Sequence, residues 1–169
     1  MLRQELLAFA AIGILGSLAL FALWFFEWRW LGRFDESLVQ FDGERLPAIA
    51  AGRVTVQQFL DPSCPCNRYV QQHSEELSTN YGAQGVAFQT VEPSRNLETA
   101  IPSSPAVAIW TADGDLAYFG PYSNGVICNA KTSLIEPVLQ SLQSGDNPMI
   151  SNTAGVGCFC PWPDNEVSA

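Results

Sequence analysis

An uncharged run of 21 residues, LLAFAAIGILGSLALFALWFF at positions 6–26, constrains this chain more than any other feature. As an α-helix rising about 1.5 Å per residue, such a run spans a bilayer core of about 30 Å. Gly13, Gly16 and Ser17 are tolerated in a helix of this kind. Trp24, Trp28 and Trp30, with Glu27 and Arg29 between them, have the pattern of an interfacial aromatic belt. A cleaved signal peptide has an apolar core of about 7–15 residues and then small residues at its cleavage site. This core is longer and runs into bulky FFEWRW, so an uncleaved transmembrane helix is expected, with its flanks in residues 1–33. No second long apolar run follows, which makes the expected protein single-pass.

Charge does not orient the helix. Arg3 and the α-amino group precede it, and Arg29 and Arg33 follow it. Cysteine usage decides instead. Two close pairs and one further cysteine suit an oxidising compartment better than the cytosol. The expected location is a bacterial inner membrane, with the domain facing the periplasm. The length of 169 residues allows one domain beyond the anchor. Acids outnumber bases 17 to 8, for a net charge of −9. That balance excludes nucleic-acid backbone binding as the main function.

Residues 34–53 read as a juxtamembrane linker and lead-in segment, with turn chemistry at Asp42-Gly43. VTVQQFL at 54–60 is a predicted strand broken by Asp61-Pro62-Ser63. A helix is expected from near Cys64 to about Tyr81, ended by Gly82. VAFQTV at 86–91 is a second strand, Pro93 to Thr99 a connection, and AVAIWTA at 106–112 a third strand. Asp113-Gly114 is a hairpin signal before a fourth strand, DLAYFG at 115–120. A final helix is expected from about Lys131 to Gln143, kinked or delayed by Pro137. Residues 54–145 thus form an α/β domain, a mixed sheet with helices on both faces. Residues 146–169 are a cysteine-bearing tail that docks on it.

Cys64-Pro65-Cys66 falls where a strand gives way to a helix. Free N–H groups and the helix dipole stabilise an anion there, which lowers a thiol pKa. Arg68, one turn on, adds positive charge, and Pro65 suits a first turn. One intervening residue closes a small, strained ring if the two cysteines bond, which favours an oxidising pair. Ser104-Pro105 precedes the third strand, either as a plain strand boundary or as a cis bond.

The series strand, Asp-Pro-Ser-Cys64-Pro-Cys66, helix, Ser104-Pro105, strand, Asp113-Gly114 hairpin and helix resembles the thioredoxin-like superfamily over residues 50–145. The resemblance implies that Cys64 and Cys66 form the active-site pair and that Pro105 is the cis-proline beside it. More narrowly, the CPC site, His73, YFGPYSNG at 118–125 and GCFCPW at 157–162 resemble an uncharacterised family of membrane-anchored bacterial proteins. That family implies no activity. Thioredoxins place two residues between their cysteines, a Trp before the first, and a buried acid on the preceding strand. Here those positions hold one residue, Ser63 and Gln58.

Cys158 and Cys160 form the second pair, and three arrangements stand open for them. They exchange with Cys64 and Cys66 as a redox relay, they complete a four-thiolate zinc or copper site with Cys64 and Cys66, or they tie to Cys128 in a structural disulfide. His73, seven residues after Cys66, lies about 10 Å further along a regular helix and cannot share an ion with it. Its bland role is a hydrogen-bonded core residue, its functional one a proton donor to a thiol. Tyr118, Phe119, Pro121 and Tyr122 make either a core-facing edge strand or an apolar rim that grips a partner chain.

The expected function is a membrane-anchored envelope thiol–disulfide oxidoreductase acting on protein thiols and disulfides, with no cofactor. Cys64, nearer the helix start and more exposed, attacks, Cys66 resolves, and Pro105 shapes the substrate groove, with Arg68, His73 and Ser104 in support. The alternatives are a thiolate metal-delivery protein holding zinc or copper on Cys64, Cys66, Cys158 and Cys160, and a non-catalytic thioredoxin-like adaptor.

Overall fold

The computed structural model describes residues 2–28, 31–34, 46–47, 49, 52–92, 101–152 and 154–162. The Asp42-Gly43 turn, the Pro93 to Thr99 connection, and Arg29 and Trp30 of the aromatic belt lie outside the described residues. Helix α1 (Leu2–Trp28) carries exposed apolar side chains, among them Phe9, Leu15, Leu20 and Trp24. Among the described residues no helix is long and apolar enough to cross a membrane.

The domain is a mixed α/β fold around a five-stranded sheet flanked by helices. The strands are β2 (Thr55–Phe59), β3 (Ala87–Val91), β5 (Ala106–Trp110), β6 (Leu116–Gly120) and β7 (Ile150–Ser151), in spatial order β3-β2-β5-β6-β7. β2 runs parallel to β3 and antiparallel to β5, β5 is antiparallel to β6, and β6 is parallel to β7. The hairpin turns at Gly114, whose φ of 93° suits a residue without a side chain. The hairpin is not the sheet edge, because the two-residue β7 from the tail pairs outside β6. Every residue of β2 is buried, as befits a strand flanked on both sides. Its Gln57 is satisfied there, donating to the Pro47 carbonyl at 3.0 Å and accepting from Trp110 Nε1 at 2.8 Å.

The helix expected from Cys64 to Tyr81 is two pieces. A 3-10 segment, Pro65–Tyr69, comes first, and α2 (Gln71–Gly82) follows. α3 (Ile135–Gln143) starts later than Lys131 and holds Pro137 in its first turn. There the proline's missing N–H costs nothing. Ser133 Oγ accepts from the Ile135 N–H at 3.1 Å and fixes that start.

Alternation along the strands sorts the core into two layers. Val107 and Ile109 of β5 face one cluster, with Val70, Leu77, Ile135, Val138 and Leu139. Ala106 and Ala108 face a second, with Phe34, Leu46, Phe59, Ile101, Phe119 and Trp162. Helices on both faces were expected. Among the described residues, α2 and α3 both belong to the first cluster, and the second face is closed by the tail and by single residues from separated segments. Two small sheets make that closure. β1 (Leu31–Arg33) pairs with β8 (Val156–Cys158), and β4 (Ser103–Ser104) pairs with β9 (Cys160–Pro161), both antiparallel.

Candidate functional site

Four of the five cysteines meet at one end of the central sheet. Cys64 is bonded to Cys160 and Cys66 to Cys158, across sequence separations of 96 and 92 residues. The two motifs are therefore cross-paired, and neither closes a ring within itself. The Sγ atoms of Cys64, Cys66 and Cys160 all lie within 4.8 Å of one another. Tyr69 and Val126 pack against this sulfur cluster. Cys128 takes no part: it is a free, buried cysteine. A structural bond between Cys128 and the tail pair, one of the three open arrangements, is not the one formed.

The loop at the end of β2 positions Cys64. Asp61 folds it into a tight turn, its carbonyl accepting from the Cys64 N–H at 2.9 Å and from Asn67 Nδ2 at 2.7 Å. Its carboxylate accepts from the Ser63 N–H at 2.9 Å and from Ser63 Oγ at 2.8 Å. On the facing segment Ser104 is fully buried. Its Oγ accepts from the Asp61 N–H at 2.9 Å and donates to the Phe59 carbonyl at 3.4 Å. Ser104 thereby locks the cysteine loop to β4, and its own carbonyl oxygen lies 3.5 Å from Cys64 Sγ. The Ser104–Pro105 peptide bond is cis. Pro105, Cys66, Tyr69, Tyr122, Ser123, Val126 and Cys158 line a narrow crevice of about 10 Å³, about the space of one water.

Three expectations change on contact with this geometry. Cys64 was expected as the exposed, attacking thiol. It is only 4 % exposed, and of the four paired cysteines Cys160 alone is not buried. The cover is the tail. Second, the anion-stabilising helix start is the five-residue 3-10 segment after Cys64 and not the head of α2. Third, Arg68 does not turn toward a sulfur: its Nη2 donates to the Tyr69 hydroxyl at 2.6 Å.

His73 is buried on α2, with Nε2 3.5 Å from Glu136 of α3 and Nδ1 3.9 Å from Glu76. Neither ring nitrogen has a hydrogen-bond partner among the described residues, so no sulfur is within its reach. Burial pushes the Cys128 thiol up to about 11; Ser123 partly offsets this and the nearby Glu136 carboxylate adds to it. Cys128 is thus a protonated, unreactive thiol at neutral pH. Tyr118 and Phe119 are core residues, whereas Tyr122 is both buried and part of the crevice wall.

Sequence reasoning singled out every cysteine here but not the residues that let the tail approach. Gly157 is one of them. A Cβ there would sit 2.8 Å from the Gly125 carbonyl oxygen, so only glycine lets β8 lie against that loop. The glycine directly before the cysteines of GCFC was the available signal.

The sequence matches the family described as Domain of unknown function (DUF6436) over residues 35–162. No curated protein matches the chain. Among solved structures it is similar to an uncharacterized conserved protein from Geobacillus kaustophilus. Identity there is 16 %, over 70 % of this chain and 80 % of that one, with a TM-score of 0.52. It is also similar to a hypothetical protein from Sinorhizobium meliloti 1021. That match has 11 % identity over 66 % of this chain and 80 % of that one, with the same TM-score of 0.52. Both likenesses concern the fold alone.

Proposed function

The chain belongs to the DUF6436 family, and we propose that it is a membrane-anchored thiol–disulfide oxidoreductase of the bacterial envelope, built on a thioredoxin-like fold. One observation carries this reading: two disulfides packed in one cluster, with three of the sulfurs within 4.8 Å of one another. Sulfurs so placed can pass a bond among themselves, because exchange needs only a thiolate in line with a neighbouring disulfide. Cys160, the one residue of the four that is partly exposed, is the point of access.

In the oxidising direction, a substrate thiolate attacks Cys160 Sγ and Cys64 leaves as thiolate. The substrate's second thiolate then attacks its own sulfur in the mixed disulfide and releases Cys160. The substrate loses two electrons and two protons and becomes a disulfide. Cys64 and Cys160 gain them as thiols. Cys66 and Cys158 hold a second bond that relays to the first. Pro105 and Tyr122 supply the crevice wall beside Cys66. The anchor rests on the uncharged run at 6–26 and on the apolar side chains that α1 exposes. The periplasmic side rests on the cysteine usage.

The test equilibrates the full chain in defined glutathione buffers and maps every cysteine by mass spectrometry. The expected result is a Cys64–Cys160 bond that opens reversibly above about −250 mV, and a Cys64→Ala variant that accumulates a mixed disulfide through Cys160. Bonds that never open in those buffers, together with no trapped species, would sink the reading and leave an adaptor.

The same clustering supports a second reading in the reduced state. Four thiolates can hold zinc or cuprous copper, at about 2.3 Å for zinc–sulfur bonds. Stoichiometric metal on the reduced protein, lost in Cys64→Ser, would favour that reading over exchange.

A further inference from the structure

We propose that strand β9 is a built-in occupant of the place where a partner polypeptide binds. The partner class is an extended, cysteine-bearing chain with an aromatic side chain two residues past its cysteine. The proposal rests on the redox reading above and names its substrate class and its gate.

The first observation is a coincidence of register. β9 adds to β4 as an antiparallel strand with Cys160 directly opposite Ser104. In the same place Cys160 is bonded to Cys64, whose Sγ lies 3.5 Å from the Ser104 carbonyl. A disulfide to Cys64 and a strand laid on β4 are the two parts of a complex with an extended partner caught by its cysteine. Addition of a strand to a free edge is a general way to hold a peptide whatever its sequence. The tail holds both parts at once, so a polypeptide partner can take the β4 edge and the bond to Cys64 only when the tail leaves, whereas with the tail in place the point of attack for a thiol is Cys160.

The second observation is the pocket. Cys160 and Trp162 point to the same side of the strand, being two residues apart. Trp162 is wholly buried against Phe59, their rings edge to face at 6.2 Å, with Phe34, Ile101 and Phe119 around it. Its backbone N–H extends the pairing past β9 by donating to the Pro102 carbonyl at 3.2 Å. Yet its indole Nε1 is buried without a partner among the described residues. An orphaned buried donor is a local cost, so the fit of the tail is imperfect and another aromatic can compete for the pocket.

The third observation supplies the release. Cys66 Sγ lies within 4.8 Å of both Cys64 and Cys160. A dithiol reductant opens Cys66–Cys158 and is itself oxidised to a disulfide, leaving thiols on Cys66 and Cys158. The Cys66 thiolate then attacks Cys64 Sγ, forms a Cys64–Cys66 bond and expels the Cys160 thiolate. That second step needs no further electrons. It frees both cysteines of the tail and leaves an oxidising bond at the β4 edge. A partner thiolate then attacks Cys64, with Cys66 leaving.

The experiment uses the full chain in detergent micelles and reads amide hydrogen exchange by mass spectrometry, oxidised and after one equivalent of dithiol. The probes are the peptide Val-Gly-Ser-Phe-Cys-Pro-Trp-Pro and its analogue with alanine for tryptophan. Reduction is expected to speed exchange at 156–162 at least 100-fold while β2 and β5 stay protected. The tryptophan peptide is expected to label Cys64 at least 10-fold faster than the alanine analogue and to restore protection at 103–104. Three outcomes overturn the proposal: a tail still protected after its bonds open, a sheet that opens together with the tail, or equal labelling by the two peptides. Reversible exchange in glutathione alongside any of these would spare the oxidoreductase reading. Loss of that exchange, with tail release intact, would strike the oxidoreductase reading alone.

Discussion

The two faces of the central sheet are closed by different means. One is covered by α2 and α3, whose apolar side chains recur at helical spacing: Val70 and Leu77 about one helix, Ile135, Val138 and Leu139 on the other. The other face is covered by Phe34, Leu46, Ile101 and Trp162, four side chains from four separated segments. The strands that bring in Phe34, Ile101 and Trp162 are two or three residues long. Strand pairs this short are not stable by themselves in water. Helices bring their own hydrogen bonds to a face, whereas a tail must be fastened, and here the fasteners are two disulfides. The face that needs covalent closure is thus also the face whose closure a redox reaction can undo.

The largest expected effect breaks that comparison directly. A variant with alanine in place of Cys64, Cys66, Cys158 and Cys160 removes both links, across 96 and 92 residues. Because one bond nests inside the other, chain entropy values the pair at little more than one such loop, about 4–5 kcal/mol. Denaturant unfolding of oxidised wild type and of the variant should differ by that order, and reduced wild type should fall toward the variant. A difference under about 1 kcal/mol would mean that packing alone holds the tail, and the two faces would then be closed alike.

Next in size is a pair of core truncations, one on each face. Trp162→Ala and Leu139→Ala each remove a fully buried side chain, at a cost of about 3–5 and 2–5 kcal/mol respectively. Their stability costs overlap, so the discriminating readout is alkylation of Cys64 in the reduced protein. Trp162→Ala should speed it several-fold, because the lost ring holds the strand that covers Cys64. Leu139→Ala should leave it unchanged. Equal rates in the two variants would show that the faces are mechanically coupled.

What the sequence disclosed follows the same division. β2, β3, β5, β6, the Gly114 turn and α3 were legible because each has enough residues to show a period or a punctuating glycine. Pro137 even signalled the late start of α3. β1, β4, β7, β8 and β9 were not legible, since two or three residues carry no period. The break between the 3-10 segment and α2 was hidden for a different reason. Pro65 is equally at home in the first turn of either kind of helix. At the site, the cysteines themselves were plain, but spacing does not encode pairing. The cross-pairing of Cys64 with Cys160 depends on where β9 meets β4, a long-range contact with no local trace. For the same reason Cys64 looked exposed in the sequence and is covered in the fold. Arg68 was placed near Cys64 by helical counting alone and has found another neighbour, Tyr69, whereas His73, which the same counting sets about 10 Å from Cys66, is buried beside Glu136.

The smallest prediction sharpens the helical side. Cys128 belongs to the helix-covered cluster, and burial raises its thiol from 9.0 to about 11. The group is neutral when protonated, so the fold favours the protonated form. Below pH 9.0 both folded and unfolded chains carry the proton, and the contribution to stability is complete. Above it the unfolded chain releases its proton first, and stability falls as pH rises through about 11. Tyr118 and Tyr122 are also raised by burial, but from 10.0, so the window between 9 and 10 belongs to Cys128. The melting temperature of wild type should therefore begin to fall in that window, and that of Cys128→Ala should stay level until the tyrosines contribute. The measurement is a thermal melt series in steps across the alkaline range. A variant whose decline starts at the same pH as wild type would place the titrating group elsewhere, with the tail face as the first place to look. There, any freed thiolate among Cys64, Cys66, Cys158 and Cys160 has a disulfide sulfur within reach to attack, and alkali would loosen the fastened face before the helical one.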